Sequence, residues 1–377
     1  MKNILLVGEW KSPNLGDSVL CNCVYKYLEK HLPHHNLIKF DLSFGYNPTK
    51  FQYWLYSKLG RLLCLFNKTT NRDISDNILS LSDLRSKIFI KDIKKIQPID
   101  CIIFCGGQIF LDYFTYCVSE IVIFAENHNI PIFWNACGGS SKLTDTSSRI
   151  FIRCINSRMT QVISVRDSIN YFKKINPNTI LVPDTAVLVS KCYPINSKRT
   201  DLIGLSTISH KLINERVDKN VSKDYIVQFW KSLIKKIEGA NLKWKFFTNG
   251  DPEDYSATKQ LLNNLGYHSE DIHISPRPTS DKELVNLISS FDAVVSFRLH
   301  SHIIAYSLGI PSYGLAWDKK VIDFFTLANN RNSCSNLGEF SSDKVFDFVL
   351  HRNSYRLPNH LIKTAIDHID NDIINNL

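Results

Sequence analysis

Residues Asp292-Ala293-Val294-Val295-Ser296-Phe297-Arg298-Leu299-His300 join an apolar, β-branched run to an arginine and a histidine. A helix-like stretch, Ser301 to Leu308, and the breaker Gly309-Ile310-Pro311 follow. This pattern reads as a buried strand that delivers Arg298 and His300 to the mouth of a helix. Ligands of open α/β sheets gather at the carboxyl ends of strands, and helix N-termini there attract anions. Arginine is a forked, permanently charged donor suited to phosphate or carboxylate, and histidine titrates near neutrality. The pair therefore points to an anionic ligand. One strand later, Trp317-Asp318-Lys319-Lys320 brings Lys320 to the same edge.

Four other clusters follow apolar strands. Asn14-Leu15-Gly16-Asp17 comes after the first strand and its loop, where Asn14 and Asp17 suit a helix cap. Cys105-Gly106-Gly107-Gln108 ends in Asp112 and lets backbone approach a ligand closely, or makes a tight strand-to-helix turn. Asn135-Ala136-Cys137-Gly138-Gly139 repeats that idea. Ser164-Val165-Arg166-Asp167, with Val182-Pro183-Asp184 after the next strand, presents an arginine among carboxylates; its plain alternative is an exposed ion pair worth little. Weaker candidates are His210, Asn249-Gly250-Asp251 and Arg277. Asp370-Asn371-Asp372 matches a metal-binding spelling but falls in a C-terminal helix, and no G-x-G-x-x-G supports dinucleotide binding.

Short apolar runs alternating with helical patterns position these residues, the signature of βαβ units and parallel sheets. Strands are expected near 3–8, 36–41, 100–105, 131–135, 162–165, 179–182, 201–206, 243–248, 271–275, 292–297 and 311–315. Helices are expected near 16–32, 79–95, 111–128, 143–156, 167–174, 223–239, 254–265, 281–290, 300–308, 319–327, 342–351 and 359–373. A linker-like stretch at Ser190–Lys198 divides an N-terminal domain, 1–192, from a C-terminal domain, 193–377, whose last helix can pack back on the first. The expected fold class is α/β, with two Rossmann-like doubly wound domains facing a cleft. One segment, Phe51 to Phe66 within an insertion at 49–68, is aromatic and basic. It reads either as an ordinary packed helix or as an interfacial helix touching a membrane or lipid-linked substrate.

The chain has 377 residues, 44% hydrophobic and 21% charged, which is enough for two cores. A net charge of +9 suits an anionic substrate, but the basic residues are not clustered as nucleic-acid binding requires. Ten cysteines show no disulfide or zinc spacing and read as small buried hydrophobes in a reducing compartment. The first apolar run is too short for a signal peptide, and no run is long enough to span a bilayer. The expected location is the cytoplasm, at the inner face of the membrane if the 51–66 segment is interfacial.

Taken in order, Asn14-x-Gly16-Asp17, Gly106-Gly107, Ser164-Val165-Arg166-Asp167, Pro183-Asp184, Arg298-Leu299-His300, Ala305, Gly309-x-Pro311 and Lys320 resemble the polysaccharide pyruvyl transferase family over about residues 12–325. Gln108 stands where that family usually has a small residue, and Lys319 where it often has proline. The resemblance implies a GT-B-like fold. It implies phosphoenolpyruvate as donor, a terminal sugar as acceptor, a cyclic pyruvate ketal as product, and a role in capsule, exopolysaccharide or cell-wall glycan assembly. Phosphoenolpyruvate is then a co-substrate, with no cofactor and no metal. Arg166, Arg298 and Lys320, with Gly106 and Gly107, would hold it. His300 would be the acid, Asp17 or Asp112 the base, and Asn14, Asn135 and His210 would line the acceptor side. Two competing readings share the fold: a nucleotide-sugar glycosyltransferase and a non-catalytic glycan-binding protein.

Overall fold

The computed structural model describes residues 1–43, 74–139, 143–195, 200–216, 221–267, 270–355 and 358–377. The aromatic segment 51–66 and its insertion lie outside the described residues. The chain forms two compact units. The first comprises Met1–Ser12, Leu20–Thr185 and Ala365–Leu377; the second comprises Pro13–Val19 and Ala186–Thr364.

The first unit is built on a parallel sheet of β1 (Asn3–Gly8), β2 (Asn36–Asp41), β3 (Cys101–Phe104), β4 (Gly107–Phe110), β5 (Ile132–Gly139), β6 (Thr160–Val165) and β7 (Ile180–Leu181). Their order is β2-β1-β3-β5-β6-β7, with β4 also on β5. The run Ile4-Leu5-Leu6-Val7 is wholly buried, as a central strand covered on both faces must be. Trp134 stacks flat on Phe104, centroids 4.1 Å apart, at the heart of this core. Helices Ile74–Lys95 and Thr115–His128 pack against each other over the sheet. β2 and β3 flank β1 on opposite sides, so the chain reverses its winding between β1 and β3. Ligand crevices of such sheets open at that switch point, which here adjoins Gly106 and Gly107.

The second unit carries a parallel sheet ordered β12-β11-β10-β8-β9, formed by β8 (Leu202–Ser206), β9 (Lys243–Phe246), β10 (Ala293–Ser296), β11 (Ser312–Ala316) and β12 (Cys334–Asn336). Its switch point lies between β8 and β10. Val295 pairs with Leu205 and Ser296 with Ser206, so Arg298 emerges beside the loop that follows β8. Local chemistry starts the surrounding helices: the side chains of Ser222, Asp251, Ser280, Asp318 and Ser341 each accept a backbone N–H at an N-cap. Trp230, Phe246 and Phe297 anchor this second core.

Three expectations are corrected here. Residues 271–275 are not a strand: Glu270–His273 is a helical turn, and Ile274 makes only a single bridge to Phe246. Gly106 and Gly107 do not turn directly into a helix. With φ of 108° and 86°, they step the chain off β3 into β4, which stays paired to β5. A twelfth strand, Cys334–Asn336, was not anticipated, because three small polar residues give no apolar signal.

Candidate functional site

In the second unit, β10 is fully buried and ends in a serine whose hydroxyl accepts the Arg298 backbone N–H at 2.9 Å. This turn makes Arg298 the N-cap of the helix Leu299–Ser307. The indole of Trp317 donates to the Phe297 carbonyl at 3.0 Å and ties the ends of β10 and β11 together. Arg298 Nε and Nη2 each donate to Asp254 Oδ2 at 2.6 Å, and Asp251 stands 3.7 Å from Nη2. Asp254 is buried in the first turn of the helix Pro252–Asn264. Burial pushes its carboxyl up to about 6, although the Arg298 guanidinium pulls the other way.

His300 lies in the first turn of the Arg298-capped helix, and its Nδ1 is 4.0 Å from Asp17 Oδ1. A β-carbon on Gly16 would sit 2.3 Å from that Nδ1, so glycine is required for the imidazole to approach. Asn14 donates from Nδ2 to Asp17 Oδ2 at 3.3 Å, and the Leu15 N–H donates to the Asn249 carbonyl at 2.8 Å. The Asn14-x-Gly16-Asp17 cluster is therefore more than a helix cap: it is the wall against which His300 rests. His302, two residues on, is a different kind of histidine. It is fully buried, donates from Nε2 to the Ser296 carbonyl at 3.0 Å, and is pushed down to about 4, so it is neutral at physiological pH.

Lys320 sits in the first turn of the helix Lys319–Leu327, with Nζ 3.4 Å from Asp318 Oδ2 and 5.9 Å from the centre of the Trp317 ring. His210 starts the helix after β8, and its Nε2 donates to the Val221 carbonyl at 2.8 Å. The second unit thus seats His300 against Asp17 and Asn14, with Arg298 capping the same helix and Lys320 and His210 on neighbouring strand ends.

In the first unit, the expected residues are built into the frame. A β-carbon on Gly106 would meet the Asn135 carbonyl at 2.7 Å, and Asn135 Nδ2 donates to the Cys105 carbonyl and to Thr185 Oγ1, both at 3.0 Å. Asp112 Oδ1 accepts from the Thr144 N–H at 3.1 Å and its hydroxyl at 2.9 Å, bracing the start of the helix Asp145–Ile155. Arg166 is buried rather than exposed. It forms an ion pair with Asp184, and Nε lies 3.5 Å from Asp167. A β-carbon on Gly138 would reach within 3.0 Å of Arg166 Nε. The Asp-x-Asp pair is likewise engaged: Asp370 accepts from the Tyr27 hydroxyl, and Asp372 accepts from His368 Nδ1 at 2.7 Å. Among the described residues no cluster of three or more histidine, cysteine or acidic side chains is arranged to hold a metal.

Sequence reading missed Asp254. It follows the strand-end motif Asn249-Gly250-Asp251, but it also begins an amphipathic helix, and that pattern concealed it. The acidic run Asp251-Pro252-Glu253-Asp254 directly after a strand was the available signal.

These two parallel, doubly wound sheets define an α/β chain of the GT-B-like class. Solved structures with that architecture align along nearly its whole length. The MnaA protein of S. aureus with UDP aligns with a TM-score of 0.58 at 11% identity, covering 100% of this chain and 98% of that one. UDP-GlcNAc 2-epimerase from Neisseria meningitidis bound to UDP-GlcNAc gives 0.53 at 16% identity, covering 97% and 94%. A 2-epimerase from Methanocaldococcus jannaschii gives 0.52 at 13%, covering 95% and 94%. No curated protein sequence matches. The sequence model of the polysaccharide pyruvyl transferases matches residues 14–319, and the chain belongs to that family; it is a transferase.

Proposed function

We propose that this transferase moves pyruvate from phosphoenolpyruvate to a glycan, closing a cyclic ketal on two sugar hydroxyls and releasing phosphate. The observation that carries the reading is the Arg298–His300–Asp17 arrangement at the switch point of the second sheet, with Lys320 on the next strand end. Phosphoenolpyruvate carries a phosphate and a carboxylate close together, and Arg298 and Lys320 are cations of the right kind to hold them. His300 would give a proton to the enol C3, leaving an oxocarbenium-like centre at C2. A sugar hydroxyl would add there and lose its proton to Asp17. A second hydroxyl would then displace phosphate from the same carbon, its proton leaving with the phosphate. In the first unit Arg166 is held by Asp184 and Asp167, and Asp112 by Thr144, so the reading rests on the residues of the second unit.

The acceptor class is a glycan, as the family implies. Its lipid-linked form rests on the 51–66 segment: deleting that segment should lower activity on a lipid-linked acceptor more than on a soluble one. The first test is the thermal shift of the intact protein with phosphoenolpyruvate and, separately, with nucleotide sugars, since a ligand of the native state raises its melting temperature. Stabilisation by phosphoenolpyruvate supports the reading. Stabilisation by a UDP-sugar instead, the ligand type carried by the Neisseria structure, would make the donor a nucleotide sugar.

A further inference from the structure

Arg298 is not an idle cation. Its Nε and one Nη2 donor are committed to Asp254 Oδ2, while Asp254 Oδ1 accepts the Ser209 N–H at 3.3 Å. Asp251 adds a second carboxylate 3.7 Å from the same nitrogen. Counted as charges, the trio is one positive and two negative, an arrangement that repels an anion. Yet among the described residues the guanidinium is held by its Nε–Nη2 edge, and Nη1 makes none of these contacts. For the trio to receive a phosphate or carboxylate, one negative charge must go.

We propose that Asp254 is the proton-linked counter-ion of Arg298: it holds the guanidinium while the site is empty and takes up a proton when an anionic ligand arrives. This rests on Arg298 being the anion-binding arginine. Asp254 is the carboxylate placed to do it, because it is 1% exposed whereas Asp251 is 27% exposed and solvated at its helix cap. Among the described residues, the charged groups facing it are Arg298 from the β10 turn and Asp251 from its own helix cap; Ser209 and Thr258, which also bond to it, are neutral. Its carboxyl already stands at about 6, so protonating it at pH 7.5 costs only about a thirtyfold factor. A second negative charge a few ångströms away raises a carboxyl by a unit or more. A protonated Asp254 keeps a carbonyl oxygen for the guanidinium, so Arg298 stays oriented while its charge is released to the ligand. In this role Asp254 touches Arg298 and not the substrate.

The test is calorimetric titration of the intact protein with sulfate, a dianion that does not titrate near neutrality, in buffers of different ionisation enthalpy. Wild type should take up a fraction of a proton per sulfate at pH 7.5 and bind about tenfold more tightly at pH 6 than at pH 8. Asp254→Asn should bind sulfate more tightly at pH 8 and lose most of both dependences. Asp254→Ser serves if the asparagine variant does not fold. Wild-type binding without proton uptake, no sulfate binding at all, or a wild-type pH profile in the folded variant would each overturn the proposal. The donor reading fails separately, if phosphoenolpyruvate does not displace sulfate or if Arg298→Ala leaves phosphoenolpyruvate binding unchanged.

Discussion

Arg166 and Arg298 occupy corresponding places, each just past the carboxyl end of a parallel strand, and they are treated in opposite ways. Arg166, with 4% of its side chain exposed, is closed between Asp184 and Asp167 on a floor that only glycine at 138 permits. Arg298 is 14% exposed and gripped from one side by a carboxylate that readily becomes neutral. A buried pair with good geometry is costly to break from one side, whereas an arginine beside a titratable acid can be lent to a ligand. The same residue at the same kind of strand end is therefore enclosed between two carboxylates in one unit and held along its Nε–Nη2 edge in the other.

The largest effect should come from the braced side. Arg166→Ala removes the positive charge between two buried carboxylates and should cost about 3–5 kcal/mol in urea unfolding. Arg298→Ala should cost far less stability but raise the dissociation constant for phosphoenolpyruvate at least tenfold; comparable unfolding losses in the two variants would erase the contrast. Next comes Asp254. Its folded value, about 6, lies above its ordinary 3.8, so the stability tied to its neutral form is present below 3.8 and lost as pH rises through about 6. Asp254→Asn should match wild type near pH 4 and be more stable at pH 8, by on the order of 2–3 kcal/mol. A variant less stable than wild type at pH 8 would sink that account.

Three milder changes sharpen the assignment of the base. Gly16→Ala forces a β-carbon into His300 and should cost about 1–3 kcal/mol while displacing the imidazole, with turnover falling more than stability. Asp17→Asn should slow turnover by about 10²-fold or more, as loss of a general base does. Asp112→Asn should change turnover little, because an amide oxygen can still accept from Thr144. The reverse order of those two rates would move the base to the first unit.

Much of this was written in the sequence. The apolar runs Ile4–Val7 and Ala293–Val295 announced central strands, and serine or aspartate caps fixed helices such as Lys223–Gly239 and Lys319–Leu327 at the expected residues. What escaped were features decided by tertiary partners. β4 exists because β5 offers it a ladder, β12 because β11 does, and neither has a strong pattern of its own. At the site, strand-end placement of Arg298, His300 and Lys320 was legible because it follows from local order along the chain. The close seat of His300 on Gly16, and the grip of Asp254 on Arg298, join residues 284 and 44 positions apart, and spacing alone cannot reveal such pairs.

The first unit is assembled from three stretches, the last being Ala365–Leu377. Within that stretch, His368 reaches Ser164 Oγ at 2.9 Å, and the same hydroxyl accepts the N–H of Ala136, which stands at a φ of 48° beside Gly106. A ribosome makes β1 to β7 first, then the whole run from Ala186 to Thr364, and only afterwards the residues that close the first sheet's floor. The unit begun first is the unit finished last. A nascent chain stalled anywhere before Ala365 therefore carries Ser164 and its strained neighbour without their clamp, however completely the second unit has folded.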